Sequence, residues 1–134
     1  MENKKIFKVL IVDNSQNNRQ SATHILQNKG FHVESAQTGY EALEALNEST
    51  YDLILMGCDL PDMDGFETAD LIRDDSLFSQ SRIPIVAWFS SMKWNIQKKC
   101  RQAGIDDYIK GPLSADNLCS KVEYWINQSH LSTT

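Results

Sequence analysis

The feature that most constrains this chain is an alternation, repeated five times, between short apolar or β-branched runs and stretches with helical periodicity. Such alternation is the pattern of a parallel sheet with helices on both faces. Strands are expected at Lys8–Val12, His32–Ala36, Leu53–Met56, Ile83–Trp88 and Asp107–Ile109. The first, third and fourth are unbroken apolar runs, as central strands buried on both faces require.

Local punctuation predicts the helices between them. The first runs from about Asn17 to Asn28, turns Ala22, Ile25 and Leu26 inward, and stops at Gly30. Thr38-Gly-Tyr-Glu41 has capping-box spacing and opens a second helix that buries Ala42, Leu43 and Leu46. A third, Phe66 to Asp74, follows Asp64-Gly65. A fourth spans Trp94 to Gln102 and ends at Gly104. The fifth begins after Ser114 and carries Leu118, Val122, Trp125 and Ile126 on one face. Residues 1–5 and the stretch Gln128–Thr134 are polar, and the latter is expected to fray.

Five βα units in 134 residues predict an α/β fold: one flavodoxin-like, doubly wound (βα)5 domain over residues 6–127. In that layout chemistry collects at the carboxyl ends of the strands. Here those positions hold Asp13 and Asn14, Gly57 to Asp59, Phe89 and Ser90, and Lys110 to Pro112.

Composition narrows the function classes. Net charge of −5 and a pI near 5.1 argue against nucleic acid as a direct partner. The longest apolar runs, Val9–Val12 and Leu53–Met56, are too short to span a bilayer. No signal-peptide pattern precedes the first strand, and Cys58, Cys100 and Cys119 lack CxxC spacing. These features predict a cytoplasmic protein with reduced thiols, a redox role for Cys58 beside the strand ends being the one other reading. No P-loop or Ser/His/Asp set is evident, so no enzyme activity is expected.

Three runs carry a family resemblance: Val9-Leu-Ile-Val-Asp-Asn14, Tyr51-Asp-Leu-Ile-Leu-Met56 and Leu60-Pro-Asp-Met-Asp-Gly65. Ile83-Pro-Ile-Val-Ala87, Ala103-Gly-Ile-Asp-Asp-Tyr108 and Pro112 continue it in order. Together they resemble the receiver (CheY-like) domain of two-component response regulators. The resemblance implies five parallel strands in the order 2-1-3-4-5. It also implies a site in which an aspartate ending the third strand accepts a phosphoryl group. An acidic pair after the first strand would hold Mg²⁺, and a Ser or Thr and a Lys would contact the phosphoryl oxygens.

At those positions this chain departs from the family. The acceptor position is Gly57, which has no side chain. The acidic pair is Asp13-Asn14, leaving Asp13 as a weak remnant of the metal site, so Mg²⁺ binding is expected to be weak or absent. The Ser/Thr position is Phe89 and the lysine position is Gly111. Ser90 and Lys110 lie one residue away, and only a local bulge would restore either side chain, since neighbouring strand residues face opposite ways. Asp59 falls where the family uses a backbone carbonyl and is not expected to serve as an acceptor. Engineering of Gly57 alone is one reading of its origin. The companion changes at Asn14, Phe89 and Gly111 favour natural degeneration.

The resemblance therefore implies a degenerate pseudo-receiver, working by phosphorylation-independent protein–protein interaction in bacterial two-component or phosphorelay signalling. Partners would be a histidine kinase, a response regulator or an output domain, met through helix 4, strand 5 and helix 5, where Trp94 and Tyr108 are the surface candidates. The same face could serve a homodimer. Two alternatives stand beside this reading: a receiver phosphorylated at a non-standard site, and a binder of a small anionic or polar ligand at loop amides and Lys110. Asp13 also suits a helix N-terminus, and Asp62 and Asp64 suit turn chemistry better than a Ca²⁺ loop. His24, His32 and His130 are too scattered to point to a metal site or catalysis.

Overall fold

The computed structural model describes residues 5–89 and 95–131. In chain order the elements are β1 (Lys8–Val12), α1 (Gln16–Asn28), β2 (His32–Ala36), α2 (Gly39–Glu48), β3 (Leu53–Gly57), α3 (Gly65–Ile72), β4 (Ile85–Phe89), α4 (Ile96–Ala103), β5 (Asp107–Lys110) and α5 (Ala115–Leu131). The strands form one parallel sheet in the order β2-β1-β3-β4-β5. This is the doubly wound arrangement expected from the alternation.

The two-residue period of the strands divides the core. Leu10, Val12, Ile54, Met56, Ile85 and Ala87 point to the side covered by α2, α3 and α4. Val9, Ile11, Leu53, Leu55 and Val86 point to the side covered by α1 and α5, where Ala22, Leu26, Leu118, Val122 and Ile126 meet them. Every residue of β3 is buried, as its unbroken apolar run requires. Each fully buried Leu or Ile contributes on the order of 1.5–3 kcal/mol.

Several boundaries differ from the expected ones. β4 starts at Ile85 because Ile83 and Pro84 form the approach to it, and the Pro84 carbonyl accepts from the Ile54 N–H at 2.9 Å. The fourth helix opens at Ile96, after a left-handed Asn95 (φ 70°), and Trp94 lies outside the described residues. α3 ends at Ile72, with Arg73 as its cap. The tail expected to fray from Gln128 continues as helix to Leu131. Leu43 is only partly buried, packed at the edge of its core. Trp125 is also partly buried rather than a pure core residue, since its indole Nε1–H donates to Asp107 Oδ2 at 2.9 Å.

The caps are local and legible. Thr38 Oγ1 accepts from the Glu41 N–H at 3.0 Å, and Glu41 Oε1 reaches back to the Gln37 N–H at 3.0 Å, one residue beyond the usual capping-box partner. Asp64 caps α3 by accepting from the Glu67 N–H at 2.8 Å. Asp62 reaches across the fold instead, accepting from the Gly39 and Tyr40 N–H groups at 3.0 and 2.8 Å and so covering the start of α2. Neither aspartate is arranged as part of a Ca²⁺ loop.

Candidate functional site

The carboxyl ends of β1, β3 and β4 surround a cleft of about 650 Å³. Strand β1 delivers Asp13 and Asn14 to one side of it, and the β3–α3 loop delivers Cys58, Asp59 and Asp64. Phe66 of α3, Trp88 and Phe89 of β4, and Ile96 and Lys99 of α4 form the opposite side, with Gly111 and Pro112 at the rim. Of the residues singled out from sequence, Asp13, Asn14, Asp59, Phe89 and Gly111 are thus brought together. Ser90 lies outside the described residues.

Gly57 ends β3, buried beneath Asp13 and not itself among the residues that line the cleft. A Cβ on residue 57 would stand 2.6 Å from Asp13 Oδ2, 3.0 Å from the Val12 carbonyl oxygen and 3.1 Å from Asp13 Cγ. The carboxylate of Asp13 has folded over the glycine into the space a side chain would need. It is held there by the start of α1: Oδ1 accepts from the Ser15 N–H at 2.8 Å and from Asn18 Nδ2 at 3.3 Å. Arg19 Nη1 donates to the Asp13 backbone carbonyl at 2.8 Å, fixing the same turn.

Phe89 sits where regular pairing puts it. β4 pairs with β3 without a bulge from Ile85 to Trp88, and with β5 from Val86 to Phe89. No register slip exchanges Phe89 for its neighbour. The Phe89 ring is buried, stacks on Phe66 (centroids 6.0 Å apart, 28° between planes) and meets Tyr108 edge-on at 6.4 Å. The Tyr108 hydroxyl accepts from Gln97 Nε2 at 2.8 Å, tying β5 to α4.

Lys110 departs from the reading in which it lines a site for an anionic or polar ligand. It ends β5 opposite Phe89, is exposed, and is absent from the residues lining the cleft. The next residue, Gly111, turns the chain with φ 80°, a conformation only glycine adopts freely. Its carbonyl accepts from the Trp88 indole at 3.0 Å. Lys99 is the one cation among the described lining residues, against three carboxylates.

Burial pushes the Cys58 thiol well up, and the neighbouring Cys100 and aspartates add to the shift. The thiol stays protonated, which disfavours redox chemistry at this position. The three cysteines are free and buried. Among the described residues no group of three or more His, Cys, Asp or Glu side chains is placed to hold a metal ion. As a Mg²⁺ site the residues present are poor: one carboxylate committed to α1, a neutral amide at Asn14 and no side chain at Gly57.

Sequence reasoning missed two residues that set the frame around the site. Arg73 donates to the carbonyls of Gly104 (2.8 Å), Ser81 (2.9 Å) and Ile83, and to Asp106 Oδ2 at 3.0 Å. Gln80 bridges the Leu46 and Ser49 carbonyls (2.8 and 2.7 Å) and accepts from the Tyr51 N–H at 2.7 Å. Both lie in polar sequence with no motif around them.

Residues 9–123 match the family described as the response regulator receiver domain. The chain belongs to that family. This receiver domain is 35% identical over 134 residues to hybrid signal transduction histidine kinase L of Dictyostelium discoideum, covering 96% of the chain and 8% of the kinase. It is 33% identical over 119 residues to the sensor protein GacS of Pseudomonas syringae pv. syringae, covering 88% of the chain and 13% of that protein. The receiver domain therefore spans about a tenth of the length of these relatives, and they include an amoeba as well as a bacterium. Among solved structures, the Vibrio cholerae chemotaxis protein CheY4 superposes with a TM-score of 0.81 at 28% identity, covering 90% of this chain and 98% of CheY4. A CheY-like receiver domain protein from Methanospirillum hungatei JF-1 superposes with a TM-score of 0.87 at 23% identity, covering 96% and 99%, a likeness of fold. Among the described residues no helix is long and apolar enough to cross a membrane.

Proposed function

We propose that this receiver domain is a pseudo-receiver, which signals by binding protein partners and does not accept a phosphoryl group. The observation that carries this reading is the Asp13 carboxylate folded over Gly57. The acceptor position has no nucleophile, and the residue that would hold Mg²⁺ occupies the vacated space instead. Phe89 and Gly111 give no hydroxyl or ammonium for phosphoryl oxygens, and Lys110 and Asp59 do not make good the loss. Mg²⁺ binding is accordingly weak or absent, and the domain carries out no catalysis.

The partner would be a kinase, a phosphotransfer protein or another regulator of a two-component pathway, as the hybrid kinases among its relatives imply. The α4–β5–α5 face carries Tyr108, whose ring and hydroxyl are both engaged by neighbours. That arrangement holds the face in one state, suited to constitutive binding of a partner or a second copy.

Beryllofluoride tests the reading because it mimics an aspartyl phosphate only where acceptor, metal and lysine are assembled. With Mg²⁺ present, the amide spectrum of the ¹⁵N-labelled chain is expected to stay unchanged. Saturable shifts at residues 13, 57 and 111 would overturn it.

A further inference from the structure

The cleft combines two kinds of wall that together suit one chemistry. On one side Phe66, Phe89 and Ile96 present an apolar surface, and on the other Asp13, Asp59 and Asp64 present carboxylates. The Phe66 ring already takes a cation, since Lys99 Nζ lies 5.8 Å from its centroid. Asp13 and Asp64 each have an oxygen committed to a helix N-terminus. Asp59 is exposed and has no hydrogen-bond or ion-pair partner among the described residues.

We propose that this cleft is a docking site for an arginine side chain presented by a partner protein. The guanidinium would be received by Asp59, and its planar face and methylene stem would lie against the partly exposed ring of Phe66, which Phe89 backs. This rests on the reading above, that the domain works by binding protein. Arginine fits better than lysine because its flat, weakly hydrated head stacks on rings and bonds a carboxylate through two N–H groups at once. The volume of about 650 Å³ leaves room for the residues flanking the arginine. Among the described lining residues three carboxylates favour a cation over an anion, and Lys99 competes for the same ring face.

The test is a titration of the ¹⁵N-labelled chain with the peptide Ac-Ala-Leu-Arg-Ala-amide, beside the same peptide carrying citrulline, which keeps the shape of arginine and removes its charge. Saturable shifts are expected at the amides of Asp59, Phe89 and Ile96, with citrulline at least tenfold weaker. Both test substitutions are at exposed positions, so the fold is kept. Asp59→Asn is expected to weaken the arginine peptide about tenfold, and Lys99→Met to tighten it about threefold by freeing the ring. Equal binding of citrulline, weaker binding by Lys99→Met, or no saturable shift would overturn the assignment. Agmatine binding as tightly as the peptide would overturn the protein source in favour of a free amine. Acetyl phosphate separates the two claims: an adduct sinks the phosphorylation-independent reading, whereas peptide failure on a chain that forms no adduct sinks only the docking site.

Discussion

Asp13 Oδ2 lies 2.6 Å from the point where a Cβ of residue 57 would stand, so the Asp13 carboxylate must shift before the end of β3 can carry a side chain. In a receiver with an acceptor aspartate both must be present together. Here the glycine permits the carboxylate to turn down onto the start of α1, where it accepts from the Ser15 N–H. Asp13 is thereby tied to Ser15, the residue that caps α1.

The first consequence concerns reversal. Gly57→Asp is expected to destabilise the domain by about 1–3 kcal/mol in urea denaturation, because the Asp13 carboxylate must shift and a second carboxylate enters beside it. The variant is also expected to gain no phosphate from acetyl phosphate and Mg²⁺, since Asn14, Phe89 and Gly111 remain. Phosphorylation of the single variant would show that the companion changes are inconsequential.

A second prediction concerns Arg73. Its guanidinium serves three backbone carbonyls and Asp106, while Asp106 Oδ2 in turn accepts from the Ile85 N–H at 2.8 Å. Arg73→Met keeps the stem and leaves those acceptors unpartnered, at a cost of about 3 kcal/mol. Urea denaturation checks this, and a loss below about 1 kcal/mol, the net worth of one ordinary hydrogen bond, would contradict it.

A third concerns acid. The Tyr51 hydroxyl donates to Glu34 Oε1 at 2.6 Å, and Lys8 and His32 approach the other oxygen at 3.1 and 3.2 Å. The tyrosine foremost, then Lys8 and His32, hold the Glu34 carboxyl down from 4.5 to about 2. A carboxyl depressed in the folded state stabilises above its unfolded value and loses that stability as pH falls toward the folded one. The window is therefore pH 4.5 down to about 2. Glu34 is 41% exposed, so solvent screening limits the effect to about 1 kcal/mol. Tyr51→Phe is expected to be less stable than the parent by that amount at neutral pH, with the gap closing across the window. Stability curves that stay parallel down to pH 2 would count against the network.

Much of this architecture could be read in the chain. The unbroken runs of β1, β3 and β4 announced buried parallel strands, while the faces taken by Phe89 (with α3 and α4) and Trp88 (with α1 and α5) emerge only in the fold. Gly57 and Asn14 were legible because each stands at a fixed offset from a recognisable strand. What escaped was long-range. Arg73, Gln80 and Asp62 bind carbonyls or N–H groups of distant segments, and nothing near them in sequence marks those partners. The direction of Lys110 escaped as well, because the left-handed turn at Gly111 sets what faces the cleft. The collapse of Asp13 depends on the height of the α1 N-terminus beside Gly57, a distance no linear pattern encodes.

The most direct measurement is intact-mass spectrometry of the unmodified chain after incubation with Mg²⁺ and acetyl phosphate, run beside a receiver that has its acceptor aspartate. The companion is expected to gain one phosphoryl group and this chain none. A stoichiometric, base-labile adduct on this chain would contradict it, since an acyl phosphate would then form at a carboxylate other than residue 57.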